Sequence, residues 1–223
     1  MGDVMTVSVS IDSARWLVIP HTFPSESGDT VREWEDQVAS QMREAWDGAL
    51  TAQLEPLVRG ALQHAVARVE PDDSLTLQFW PGASVVNAIV HIVAGTFGQE
   101  PQRRVIPLDD GPFVTEPQSI PFESKTLGTG VESAALLALD DEPPYTVGVL
   151  NYLFESEVGY VYVGVDPTLP HLIGLMRDSL RDVVHTIQVD TEDGREWGRA
   201  SVDMEVLQKP AETWEFDTSG AIS

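Results

Sequence analysis

Asn87 and His91 are the two polar side chains that could most readily do chemistry in this sequence. They stand in an apolar stretch, residues 85–94, whose composition is typical of a β-strand. Because alternate side chains of a strand point to the same face, Asn87 and His91 would share a face and line one cavity. An amide and an imidazole in a cavity could bind a small ligand or transfer protons. The alternative is a histidine that is hydrogen-bonded within the core.

Other catalytic and metal-binding patterns are absent from the sequence. There is no cysteine, which excludes disulfides and thiolate chemistry, and the five histidines lack the spacing of zinc motifs. Residues 128–133 (GTGVES) partly match a dinucleotide fingerprint, but Ser133 replaces the last glycine and Glu132 would repel phosphate. We therefore expect a glycine-rich hairpin turn at 128–130, and no enzymatic activity, cofactor or metal.

The net charge of the chain indicates what kind of partner the protein could bind. The chain of 223 residues has 36 acidic and 13 basic side chains, a net charge of −23. Such a charge opposes binding to nucleic acid or anionic membranes and favours a basic protein partner. No apolar run is long enough to span a membrane and the start lacks signal-peptide features, so we expect a cytoplasmic protein. The acidic residues expected to contact the partner are Asp109, Asp110, Asp140, Asp141 and Glu142.

The most strongly patterned stretch is residues 145–187. Residues 145–154 are apolar on both faces, which predicts a central strand, and 160–165 alternate like an antiparallel neighbour. An amphipathic helix follows, with Thr168 as its expected N-cap. Residues 131–139 fit a strand or a helix, and we favour the strand.

The remaining elements complete the predicted fold. Residues 30–68 predict two helices, the first opened by a capping box of Thr30 and Glu33. We expect one domain over 1–190 and an acidic extension over 191–223. The predicted class is α+β, a largely antiparallel sheet flanked by helices in an α/β/α sandwich. Further strands are expected at 4–11 and 14–20 (as a hairpin), 75–80, 85–94 and 200–207, and an irregular surface excursion at 105–121.

The order of these elements resembles the Mog1/PsbP-like α/β/α sandwich. The resemblance is carried by residues 14–20, 30–46, 131–139, 145–154, 160–165 and 169–187. It implies a binding or assembly factor without a shared active site, so no functional residue carries over. The helix at 50–66 and the strand at 200–207 depart from that family's pattern.

The sequence thus leads to one expected function and two alternatives. The expected function is that of a non-enzymatic, acidic accessory or assembly factor that engages a basic protein. The first alternative is an immunity protein that neutralises a toxin. The second is a small-ligand-binding protein or enzyme with a cavity near Asn87 and His91.

Overall fold

The computed structural model describes residues 5–26, 28–96, 113–139, 145–191 and 194–200. The elements in this part of the chain follow one another in the order β1 (Met5–Ser8), β2 (Trp16–Ile19), α1 (Val31–Ala45), α2 (Glu55–Ala67), β3 (Leu75–Phe79), β4 (Ala88–Gly95), β5 (Gln118–Ser124), β6 (Gly128–Leu139), β7 (Tyr145–Glu155), β8 (Tyr160–Val165), α3 (Pro170–Val184) and β9 (Gln188–Thr191).

A seven-stranded sheet dominates the structure. Its strand order is β2-β3-β4-β8-β7-β6-β5, and all its pairings are antiparallel. β1 and β9 form a separate two-stranded antiparallel sheet. The predicted α+β class with a largely antiparallel sheet is therefore confirmed.

The predicted central strand lies in the interior of this sheet. β7 pairs with β6 on one side and β8 on the other, and its consecutive residues Val149 and Leu150 are both buried. Burial on both faces explains why this segment is apolar throughout. The ambiguous segment 131–139 is a strand, and it begins three residues earlier, at Gly128.

Two predictions about strands were wrong. Residues 4–11 and 14–20 do not pair as a hairpin, because β1 pairs with β9, where Met5 faces Thr191, and β2 pairs with β3. The alternation of valine and serine predicts a strand but does not indicate which strand it pairs with. In the structure both strands pair with strands that are distant in the sequence. Residues 118–121, expected to be irregular, belong to β5, an edge strand in which Pro121 is tolerated because one backbone edge needs no ladder bond.

Of the two predictions about helix starts, one is confirmed and one is wrong. The capping box of α1 is present: the Thr30 hydroxyl accepts from the backbone N–H of Glu33, whose carboxylate accepts from the N–H of Thr30. Thr168, however, is not the N-cap of α3, a position that Leu169 occupies. Thr168 instead exchanges backbone hydrogen bonds with Gly148 of β7, at 2.7 and 3.1 Å.

Two hydrophobic clusters use alternate residues of the same strand. Val90 and Ile92 of β4 pack in the cluster that contains α3, whereas Ile89 packs in the cluster of α1 and α2. Because successive side chains alternate across a strand, the two clusters lie on opposite faces of β4. Within the described ranges, no helix is long and apolar enough to cross a membrane.

Candidate functional site

His91 lies between two carboxylates. Its Nδ1 is 2.7 Å from Oδ2 of Asp73, and its Nε2 is 3.3 Å from Oδ1 of Asp166. The second contact has an ion-pair distance without hydrogen-bond geometry. Arg68, at the C-terminal end of α2, donates from Nε and Nη2 to both carboxylate oxygens of Asp166, at 2.9 and 3.0 Å. This His91 network ties α2 to β4 and to the residue that follows β8.

Asp73 is the most buried carboxylate of the His91 network, with 3% of its side chain exposed. Its Oδ2 also accepts hydrogen bonds from the Thr76 hydroxyl at 2.8 Å and from the backbone N–H of Glu70 at 2.9 Å. His21 contacts the same hydroxyl, with Nε2 3.2 Å from Oγ1 of Thr76. These donors compensate for the removal of the Asp73 carboxylate from water.

The electrostatics of the network favour a charged imidazole. Burial opposes protonation, but the contacts with Asp166 and Asp73 outweigh it and raise the pKa of His91 above its usual value. Burial likewise opposes ionisation of Asp166, but His91 and Arg68 outweigh it and lower the pKa of that carboxyl to about 2. A general base needs a free nitrogen that faces the substrate, and here both nitrogens face carboxylates. The arrangement favours the structural alternative, a partnered core histidine.

Asn87 has different partners from His91. Its side-chain oxygen accepts from Nε2 of Gln78 at 2.9 Å, and its side-chain nitrogen donates to the carbonyl of Val85 at 3.0 Å. Among the described residues, no hydrogen bond joins Asn87 to His91. The structure therefore places the two side chains in separate hydrogen-bond networks.

A second charged cluster, the Glu132 clamp, consists of Glu132 on β6 with Arg177 and Arg181 on α3. The side chain of Glu132 is only 1% exposed. Arg181 donates from Nε to Oε2 at 2.7 Å and from Nη2 to Oε1 at 2.8 Å. Arg177 donates to Oε1 from Nε at 2.8 Å and from Nη2. The clamp therefore joins α3 to the sheet through charge-assisted hydrogen bonds.

The Glu132 clamp shifts the pKa of Glu132 itself and of the neighbouring Tyr152. Burial opposes ionisation of Glu132, but Arg181 and Arg177 outweigh it and lower the pKa of its carboxyl. Tyr152 faces Glu132 in the register of β6 and β7, and burial, followed by the Glu132 charge, raises the pKa of its phenol. In the described part of the chain the Tyr152 hydroxyl has no hydrogen-bond partner.

Sequence reasoning did not identify the Glu132 clamp. In the sequence, Glu132 stands out only as an obstacle to phosphate binding beside Gly128 and Gly130. The structure shows that residues 128–130 open β6, directly after the turn at 125–127, and that no helix follows them. One sequence signal was present: Arg177 and Arg181 are four residues apart and so lie on one face of a helix.

An open groove between α1 and α2 is the remaining candidate site. It is lined by Val31, Arg32, Glu35, Asp36, Arg59 and Gln63. Glu35 is buried, with 5% of its surface exposed, although it is a carboxylate on a helix. Its position, four residues after Val31 and three before Val38, falls on the apolar stripe of α1 and was the signal that could have identified it.

The predicted acidic contact residues lie outside the described part of the chain: Asp109, Asp110, Asp140, Asp141 and Glu142. The predicted strand at 200–207 also lies outside it, except for Ala200, which bridges to Gly128 in parallel orientation. Among the described residues, no group of histidine and carboxylate side chains could hold a metal ion.

Comparisons with protein-family models, with curated proteins and with solved structures found no match to this chain.

Proposed function

We propose that this protein is a non-enzymatic, acidic binding factor that engages a basic protein partner. The observation that carries the proposal is the large excess of acidic over basic side chains. The chain has a net charge of −23, and in its described part several arginines are paired with carboxylates, with 25–49% of each arginine side chain still exposed. The arginines engaged in ion pairs with carboxylates are Arg43, Arg59, Arg68, Arg177 and Arg181.

Exposed carboxylates are found on both α1 and α3, and two of them, Asp36 and Asp178, also pair with arginines. The Asp178 side chain on α3 is 95% exposed, and that of Asp36 on α1 is 58% exposed. Glu44 and Asp182 are exposed as well. A surface with this excess of negative charge attracts cationic partners over a distance of about 10 Å at moderate ionic strength and speeds their association.

The surroundings of His91 support a structural role for that side chain. His91, the strongest catalytic candidate, has carboxylates at both ring nitrogens. The Mog1/PsbP-like resemblance remains part of the proposal, because that family consists mostly of binding and assembly factors. The hydrophobic clusters on opposite faces of β4 support a helix-flanked sheet of this kind.

The test is a salt series on a reconstituted complex. A partner isolated from the native host is purified and its Kd for the full chain is measured by calorimetry. We expect Kd to weaken about tenfold as ionic strength rises from about 0.05 M to about 0.5 M, because screening removes long-range attraction. An acidic protein of similar size is the control and should not bind. A Kd that is indifferent to salt would contradict the electrostatic proposal.

A further inference from the structure

Glu35 is a buried carboxylate that has no cationic partner among the described residues. Its hydrogen bond is with Gln63 of α2, whose Nε2 lies 3.3 Å from Oε2 of Glu35. A charged group removed from water is normally paired with an opposite charge, and a neutral amide at this distance compensates only in part. The carboxylate also lines the open groove, so a group that entered the groove could reach it.

The walls of this groove are held by ion pairs that leave Glu35 out. Asp36 of α1 pairs with Arg59 of α2 at 2.7 Å, and Arg43 of α1 pairs with Glu55 of α2 at 2.9 Å. Arg59 also pairs with Glu55 at 3.0 Å. Of the two arginines that line the groove, Arg59 is committed to Asp36 and Glu55, and Arg32 is exposed and makes no ion pair with Glu35 in the described part of the chain. These cross-helix contacts organise the two helices around Glu35 before any partner binds, which limits the entropy that binding must remove.

We propose that the groove between α1 and α2 receives an arginine side chain of the basic partner, with Glu35 as its counterion. This inference rests on the proposed function and specifies one contact of the interface. The carboxylate of Glu35 and the amide oxygen of Gln63 would accept the guanidinium N–H groups.

Arginine fits this site better than lysine for a geometric reason. The guanidinium is planar and presents five N–H donors in a fixed arrangement, which can reach a carboxylate and a neighbouring amide oxygen at once. An ammonium is a compact, strongly hydrated charge, and its transfer into a partly enclosed groove costs more hydration. The groove should therefore discriminate between the two cations, whereas a purely electrostatic surface would not.

The experiment compares two substitutions of equal charge on the same helix. Glu35→Gln keeps the shape of the side chain and its hydrogen bond to Gln63 but removes the charge. Glu44→Gln removes the same charge from an exposed position of α1 and is the matched control. The probes are labelled oligo-arginine and oligo-lysine peptides of equal length, titrated into the full chain by fluorescence anisotropy.

We expect Glu35→Gln to weaken oligo-arginine binding about tenfold and Glu44→Gln less than about twofold, because only the first loses a charge-assisted hydrogen bond. The wild-type chain should prefer oligo-arginine to oligo-lysine, and Glu35→Gln should reduce that preference. Circular dichroism and thermal unfolding of both variants establish that they are folded.

A measurement on the wild-type chain keeps the test independent of the variants. Backbone amide shifts recorded during titration with oligo-arginine should change most at Val31, Glu35 and Gln63. Equal, small effects of the two substitutions, with shifts spread over the surface, would overturn the groove site while the salt-dependent binding of a basic protein stood. Absence of oligo-arginine binding at low salt would contradict the groove site and count against the proposed function as well.

Discussion

Arg181 holds Glu132 through two hydrogen bonds, from Nε to Oε2 at 2.7 Å and from Nη2 to Oε1 at 2.8 Å. The residues are 49 positions apart in the chain, and the pair joins the C-terminal half of α3 to β6. Arg177 donates to the same carboxylate one helical turn earlier. A single buried glutamate therefore links α3 to the sheet through directional hydrogen bonds, in addition to the apolar packing of the helix.

Glu132→Gln should destabilise the fold. The amide nitrogen of glutamine cannot accept the N–H that Oε2 now accepts, and the neutral side chain leaves two guanidinium groups without a counterion, although Arg177 and Arg181 remain 25% and 31% exposed and so stay partly hydrated. We expect the free energy of unfolding to fall by about 2 kcal/mol, less than the loss for a fully buried pair. Denaturant unfolding measures it. The control is Asp178→Asn, which removes a 95% exposed carboxylate and should change the free energy by less than about 0.5 kcal/mol. Similar effects of the two changes would contradict a structural role for the clamp.

The His91 network should make stability depend on pH. The pKa of His91 is raised above the value of 6.5 typical of an unfolded chain. Its stabilising contribution is therefore fully present below about pH 6.5 and is lost as pH rises through the folded pKa. We expect the difference in unfolding free energy between the wild type and His91→Asn to shrink over that window. Chemical unfolding at a series of pH values measures this difference.

The imidazole pKa itself can be read by NMR titration of the His91 ring. A value at or below 6.5 would contradict the charged-network interpretation. The control is His171→Asn, which removes an exposed imidazole that lies outside the His91 network.

The capping box predicts a local effect on α1. Thr30→Ala removes the side-chain acceptor for the N–H of Glu33 and should lower the unfolding free energy by about 1 kcal/mol. Ser40→Ala, at an exposed interior position of the same helix, should cost nothing because alanine has the better helix propensity. Thermal unfolding of the two variants side by side tests the cap. An unchanged midpoint for Thr30→Ala would show that the capping bond contributes no net stability.

Two glycines should respond in opposite directions to substitution by alanine. Gly128 has φ +90°, and a Cβ there would meet the backbone N and O of Ala200 at 2.7 Å. Gly174 lies in α3, where a Cβ would meet nothing within 4 Å. We expect Gly128→Ala to cost about 2 kcal/mol and Gly174→Ala to stabilise by about 0.5–1 kcal/mol. Chemical denaturation measures both. Stabilisation by Gly128→Ala would rule out the close approach of the segment around Ala200.

Much of the secondary structure was predictable because its signals are local. The two-sided apolar run of β7 and the apolar stripe of α3 identify a central strand and a packed helix without knowledge of any neighbour. The capping box of Thr30 and Glu33 is likewise complete within four residues. These patterns report how much of each segment must be buried, which is a property of the segment itself.

Strand partners were not predictable in the same way. Several strands of similar composition compete for each position in an antiparallel sheet. Closing a long loop costs only slightly more free energy than closing a shorter one, so a distant strand is not at a large disadvantage. β1 therefore pairs with β9, at least 180 residues away, and not with its neighbour β2. The N-cap of α3 was predicted wrongly for a related reason. The backbone of Thr168 is hydrogen-bonded to Gly148 of β7, a contact that no local pattern indicates.

The sequence by itself determined the α+β class, the positions of most elements and the acidic character of the protein. Only the tertiary structure decided which partner each buried charged group meets: Arg181 for Glu132, Asp73 for His91, and the neutral Gln63 for Glu35. The physical reason is that a charge is stabilised by whichever partner the packed chain brings within about 3 Å. That proximity follows from strand order and helix placement, neither of which any local pattern records.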